Sequence, residues 1–178
     1  SLADGVSKAK NLLLSEDVIA TINAIKKLGI NVNFTKNLCK VHGRGFDGYK
    51  YKKNIVINAK NSGTLGRLLP GLLINSPNTI KFIGDKSLSK RDFNRVIKPL
   101  KLFGVNIESK NGMLPIEFVG SSLLRPIEFT ENKGSAQIKT CIILSAINTP
   151  GITKIKARKS RNHTELILKS LNYPIKVK

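Results

Sequence analysis

The chain has 178 residues and 40% hydrophobic content, enough to bury a real core in one domain or two small ones. Lys and Arg number 31 against 11 Asp and Glu, and the formal net charge of +20 favours anionic partners: nucleic acid, anionic lipid, or small phosphorylated and carboxylated compounds. The longest apolar runs, Leu68 to Ile74 and Ile142 to Ile147, fall far short of the roughly 18 residues of a membrane span, and no basic-then-apolar leader opens the chain, so a cytoplasmic protein with no membrane partner is expected.

The basic residues are spread along the whole length, in a chain also rich in Ile and Asn, so a general compositional bias explains the charge as readily as a polyanionic partner does. Aromatic content is 6% with no Trp, which argues against the stacking platforms of single-strand binders and makes nucleic acid the weaker partner. Cys39 and Cys141 lie far apart in segments that alternate or pack, and are expected as free buried thiols. Cys39 with His42 would make half of a zinc site, but no second pair exists, so neither metal nor cofactor is expected.

In chain order, Ser15 caps a helix with Glu16 and Asp17 in its first turn, Val18, Ile22, Ile25 and Leu28 on its apolar face, and Gly29 as its stop. A strand follows at Ile30 to Phe34, then another at Leu38 to Val41, closed by Gly43-Arg44-Gly45. Asn54 to Ala59 alternates as a strand and runs through Lys60-Asn61-Ser62 into a nearly apolar helix from Gly63 to Leu73. Lys81 to Gly84 is strand-like. Ser87 to Arg91 opens a helix with Phe93, Val96, Ile97 and Leu100 inside, and Gly104 ends it before a strand at Val105 to Ile107. Leu114 to Val119 closes that stretch at Gly120. A second apolar helix spans Ser135 to Ala146, followed by a strand at Thr153 to Lys156, the turn Ser160 to Glu165, a helix from Leu166 to Leu171 and a strand at Pro174 to Val177.

Superposing Ile25 to Val32 on Leu100 to Ile107 gives an internal repeat of roughly 75 residues, with a third copy about 70 residues on. Each unit reads as strand, buried helix, strand, amphipathic helix and further strands. Units of about 1–47, 48–120 and 121–178 make a single α/β (α+β) domain over residues 1–178, with pseudo-threefold arrangement around the two apolar helices. The first unit lacks its opening strand and buried helix, and the third stops as its last strands should form.

Three helix starts concentrate small, hydroxyl and basic residues: Asn61 to Arg67; Gly84 to Arg91; and the split set Lys133 to Gln137 with Arg158 to His163. Phosphate and carboxylate groups need fixed N–H donors and planar guanidinium forks, which helix starts carrying Ser, Gly and Arg supply. At the first of these, Ser62 or Asn61 would cap the helix, Gly63 would let a ligand approach the backbone, and Thr64 and Arg67 would add a hydroxyl and a guanidinium; an ordinary capped helix with a packing glycine is the plainer reading. Gly84-Asp85-Lys86-Ser87 is not a phosphate-binding P-loop, since the first glycine and the four intervening residues of that motif are missing. Asp85, Glu108, Glu117 and Glu128 are too scattered to nominate a general acid and base.

Taken in order, Asn61-Ser62-Gly63-Thr64 with Arg67, Gly84 to Arg91, Leu114-Pro115-Ile116, Ser135-Ala136-Gln137 and Ser160-Arg161-Asn162-His163-Thr164-Glu165 resemble the 5-enolpyruvylshikimate-3-phosphate synthase family over essentially the whole chain. The resemblance implies an enolpyruvyl-transferase lobe of βαβαββ units, the first of two such lobes, in an enzyme that moves the enolpyruvyl group of phosphoenolpyruvate to the 5-hydroxyl of shikimate 3-phosphate in aromatic amino acid biosynthesis. It further implies that Gly63, Arg91 and Gln137 hold phosphoenolpyruvate, with glyphosate pressing at the same glycine. Ser135, Ala136, Gln137 and Ser160 or Arg161 would face shikimate 3-phosphate, and Asn61, Thr64 and Arg67 would support the first turn.

Asp92 stands where this family usually has Pro, and Asn162 where many members have Asp. A Gly-Asp-Lys-Ser-x-Ser-x-Arg segment, expected ahead of Leu2-Ala3-Asp4-Gly5, is absent from these residues, as is the second lobe with its acid-base Asp, Glu and Lys. No catalytic residue is therefore assigned within this chain, and no turnover is expected from it alone, because the family closes its lobes over both substrates. The alternatives are a lobe of UDP-N-acetylglucosamine enolpyruvyl transferase, which the Lys86 to Arg91 turn fits less well, and a basic nucleic-acid-binding module.

Overall fold

Serine hydroxyls set three of the helix starts. In a computed structural model, which describes residues 1–46 and 48–177, Ser15, Ser62 and Ser135 accept hydrogen bonds from the N–H groups of Val18, Leu65 and Ile138, each three residues on. They open α1 (Glu16–Lys27), α2 (Gly63–Leu72) and α4 (Ala136–Ile147). Two shorter helices, α3 (Asn94–Leu102) and α5 (His163–Ser170), alternate with them. The strands are β1 (Asp4–Lys10), β2 (Asn31–Phe34), β3 (Leu38–Arg44), β4 (Ile55–Asn58), β5 (Thr79–Ile83), β6 (Asn106–Ser109), β7 (Ile116–Val119), β8 (Glu128–Glu131) and β9 (Lys154–Ala157).

The strands form three sheets, ordered β1-β3-β2, β4-β5-β7-β6 and β8-β9. β4 runs parallel to β5 and β8 parallel to β9, and every other pairing is antiparallel. The order β1-β3-β2, with α1 before its last two members, has the pattern of β5-β7-β6 with α3. The pair β8-β9, bridged by α4, has the pattern of β4-β5, bridged by α2. Parallel neighbours need such a crossover, and the crossover helices are the apolar ones because they pack against each other as well as on the sheets. Gly71 permits this close approach: a Cβ there would lie 2.5 Å from the Cys141 carbonyl oxygen. The main core combines Phe82, Phe93, Phe103 and Phe118 with aliphatic residues of α2, α3 and α4, and Phe82 stacks on Phe118 at 6.0 Å. Cys39 and Cys141 are free and buried.

Four expectations are corrected. The helix placed at Ser87 to Arg91 starts at Asn94: Leu88–Lys90 form a single 3-10 turn, Arg91 is extended, and Asp92 Oδ1 accepts the Asn94 N–H at 2.8 Å. The last helix starts at His163 rather than Leu166, because the Leu166 N–H already donates to the Asn162 carbonyl at 3.0 Å and closes the first helical turn. Pro174 to Val177 is not a strand and pairs with none. β1 was not anticipated, since all its residues are exposed and no alternation marks it; its backbone pairing with β3, from Asp4 opposite Arg44 to Lys10 opposite Leu38, defines it instead. No helix among the described residues is long and apolar enough to cross a membrane.

Candidate functional site

Each parallel strand pair sends two loops off its C-terminal ends into helix starts, the position where helix N–H groups and loop side chains face a common space. From β4 the chain turns through Lys60, in the left-handed region at φ +52, whose N–H donates to Asn58 Oδ1 at 2.8 Å. From β5 it turns through Gly84 to Lys90. Asp85 locks the two turns together. Its N–H donates to the Lys60 carbonyl at 2.8 Å, Oδ1 accepts from the Leu88 N–H at 2.7 Å, and Oδ2 accepts from Asn61 Nδ2 at 2.6 Å. The Leu88 N–H, followed by the Asn61 amide, holds its carboxyl below the ordinary carboxylate value.

Above this lock sit two arginines. Arg91 Nη2 reaches Asn61 Oδ1 at 3.5 Å, and Arg67 Nη1 donates to Gln137 Oε1 at 3.0 Å. The same glutamine donates through Nε2 to Thr64 Oγ1 at 3.0 Å, tying the first turn of α4 to that of α2. The Arg67 guanidinium lies 5.1 Å from the centre of the buried Phe93 ring. A Cβ on Gly63 would stand 2.9 Å from Arg67 Nη1 and 3.3 Å from Arg91 Nη1, so the bare Cα is flanked by both forks. Burial, then the neighbouring charges of Arg91 and Arg95, lower the pKa of Arg67. Among the described residues neither Arg67 nor Arg91 is in an ion pair, while Asp92 lies 3.6 Å from Arg95 instead. Two cationic forks held against a glycine without a carboxylate between them make a cradle for an anion.

The second strand pair builds the other half. Ser135 caps α4, and Ala136 and Gln137 form its first turn, with all three half-buried. Glu131, at the end of β8, accepts the Lys133 and Ser135 N–H groups. The loop after β9 abuts this one, a Cβ on Gly134 lying 3.4 Å from the Lys159 carbonyl oxygen. α5 is tied to α4 by Lys139 Nζ on Glu165 Oε1 at 2.5 Å and by Thr140 on Thr164 at 2.7 Å. Glu165 occupies the position from which a capping box would close back on Asn162, but the ion pair takes it, and Asn162 makes no side-chain cap bond. Ser160 Oγ and Glu165 Oε2 are buried without a partner, and Arg161 is exposed.

Asn61, Gly63, Thr64, Arg67, Arg91 and Gln137 thus form one contacting set, with Ser135 and Ala136 immediately preceding its glutamine in the cap and first turn of α4. Ser160 and Arg161 stand apart, on the α5 start, with no side-chain hydrogen bond to the set. Sequence reasoning missed the Phe93 platform, the clamp at Glu131 and the Lys139–Glu165 tie. Only Asp85 left a signal, an Asp three residues ahead of the N–H it accepts. Among the described residues no cluster of His, Cys, Asp and Glu could hold a metal ion.

The family model for EPSP synthase (3-phosphoshikimate 1-carboxyvinyltransferase) matches residues 1–178. The 3-phosphoshikimate 1-carboxyvinyltransferase of Streptococcus mutans is 38% identical over 172 residues, covering 95% of this chain and 40% of its own length. That of Streptococcus pyogenes is 39% identical over 168 residues, covering 93% and 39%. The structure of EPSP synthase from Acinetobacter baumannii superposes with a TM-score of 0.93 at 31% identity, over 100% of this chain and 41% of that one. The chain therefore spans about 40% of the length of the curated relatives it matches.

Proposed function

The chain belongs to the EPSP synthase family, and from that premise we propose that it forms one wall of the site at which the enolpyruvyl group of phosphoenolpyruvate passes to the 5-hydroxyl of shikimate 3-phosphate. The observation that carries this reading is the pair of guanidinium forks at Gly63. Phosphoenolpyruvate bears a carboxylate and a phosphate on a flat, small skeleton. Arg91 would take one of these groups, Gly63 would let it sit against the α2 backbone, and Gln137 would orient it; glyphosate would press on the same wall. Shikimate 3-phosphate would lie over Ser135, Ala136 and Gln137, with its phosphate reaching towards Ser160 and Arg161 at the under-capped start of α5. Asn61, Thr64 and Arg67 act by holding these groups in place.

The carboxylates around this wall are already committed: Asp85, Asp92 and Glu131 to backbone N–H groups, and Glu165 to Lys139. This wall therefore binds and orients anions, and proton transfer falls to groups from a second lobe that closes over it. Residues 1–178 are read as a single lobe in units of about 1–47, 48–120 and 121–178, acting in the cytoplasm and inactive without the second lobe. Titration calorimetry with shikimate 3-phosphate tests the reading. Saturable binding with a shallow salt dependence is expected. Steep salt dependence with oligonucleotides, and no heat from shikimate 3-phosphate, would replace it with a polyanion-binding role.

A further inference from the structure

Glu131 is only 4% exposed, yet among the described residues no basic side chain pairs with it. Its charge is met by the backbone. Oε1 accepts from the Lys133 N–H and Oε2 from the Ser135 N–H, both at 2.9 Å, and Gly134 between them takes φ +68. The N-terminal end of α4, one residue further on, favours the negative charge as well. A carboxylate can serve two such donors at once because both of its oxygens are acceptors. Asn132 and Lys133 are exposed, and Gly134 between them and the helix takes the left-handed backbone that the turn requires.

We propose that Glu131 is a positioning residue for the phosphorylated substrate. By clamping the Lys133 and Ser135 N–H groups from behind, it turns both donors away from the ligand space and sets the direction in which α4 begins. Two consequences follow for the site. The Ser135 hydroxyl is left as this loop's donor towards an anion, and Gln137 arrives in the orientation that joins Thr64 to Arg67. The carboxylate makes no hydrogen bond to the side chains of Ser135 or Gln137 and acts through the backbone N–H groups it holds. This inference rests on Ser135 to Gln137 facing shikimate 3-phosphate.

The test compares Glu131→Gln with Glu128→Gln, an exposed carboxylate at the other end of the same strand. The amide of Glu131→Gln keeps one acceptor but sets its NH2 against the other N–H, so one clamp bond is lost without a change of volume. In the nitrogen-15-labelled chain, Glu131→Gln should shift the side-chain amide signals of Gln137, a residue the substitution does not touch. It should also weaken shikimate 3-phosphate by about tenfold, the equivalent of one hydrogen bond to a charged group. Glu128→Gln should do neither. Unmoved Gln137 signals with affinity within about twofold of the unsubstituted chain would overturn the inference. If the unsubstituted chain fails to bind shikimate 3-phosphate, the substrate reading falls, and the Gln137 signals alone decide whether Glu131 positions α4. Should Glu131→Gln not fold, Glu131→Asp, which keeps the charge but is one methylene shorter, is read in the same way.

Discussion

At Gly63 the absence of one methyl group decides how close two guanidinium groups stand to the α2 backbone. An added Cβ would crowd the far ends of Arg67 and Arg91, which can move, and would touch Leu88 Cδ1 at an ordinary 3.7 Å, so Gly63→Ala should fold. Its unfolding free energy is expected to stay within about 0.5 kcal/mol by urea titration, whereas phosphoenolpyruvate affinity should fall by about tenfold as the forks are displaced. Asp85 makes a pH-dependent contribution. Its folded-state carboxyl lies below the ordinary value, so its stabilisation is fully present above pH 3.8 and is lost as pH falls through the folded-state value. Urea midpoints of the unsubstituted chain and Asp85→Ala should differ by a constant amount from pH 5 to 7 and draw together as pH falls below 3.8; a constant gap throughout would refute the lock. Gly63, Thr64, Arg67 and Arg91 were legible as anion-site candidates because helix-start chemistry is local. Glu131 and Phe93 were not, because a clamp and a ring platform become visible only when residues of different elements meet.

Helices with serine caps and strands with alternating burial, such as α1 and β5, could be read directly from spacing. β1 could not, since its residues bury neither face and only the backbone pairing with β3 makes it a strand. The start of α3 was misplaced because Ser87 and Ser89 imitate caps, while the 3-10 turn places Arg91 in extended backbone beside Asn61 instead. That displacement is what brings the second guanidinium into the site. The α2–α4 contact is the element on which the whole wall depends, since Arg67, Thr64 and Gln137 meet only if the two helices stay close. Gly71→Ala places a Cβ against the Cys141 backbone, which cannot swing aside. A loss of about 1–3 kcal/mol in unfolding free energy is expected, together with weaker phosphoenolpyruvate binding; an unchanged urea midpoint would mean that the helices are not held at this distance.

On the scale of the molecule, the crossover helices α2 and α4 of the two parallel pairs start at one wall, joined through Gln137. The charge alone left several classes of anion open. The guanidinium pair at Gly63 favours a small ligand with two anionic groups over a polymer. The most direct test is calorimetric titration of phosphoenolpyruvate, in the presence of shikimate 3-phosphate, into the unsubstituted chain and Arg91→Ala at one fixed salt concentration. The account predicts saturable binding that Arg91→Ala weakens by at least about tenfold while its urea midpoint stays unchanged. Equal binding by the two proteins, or none by the unsubstituted chain, would contradict it.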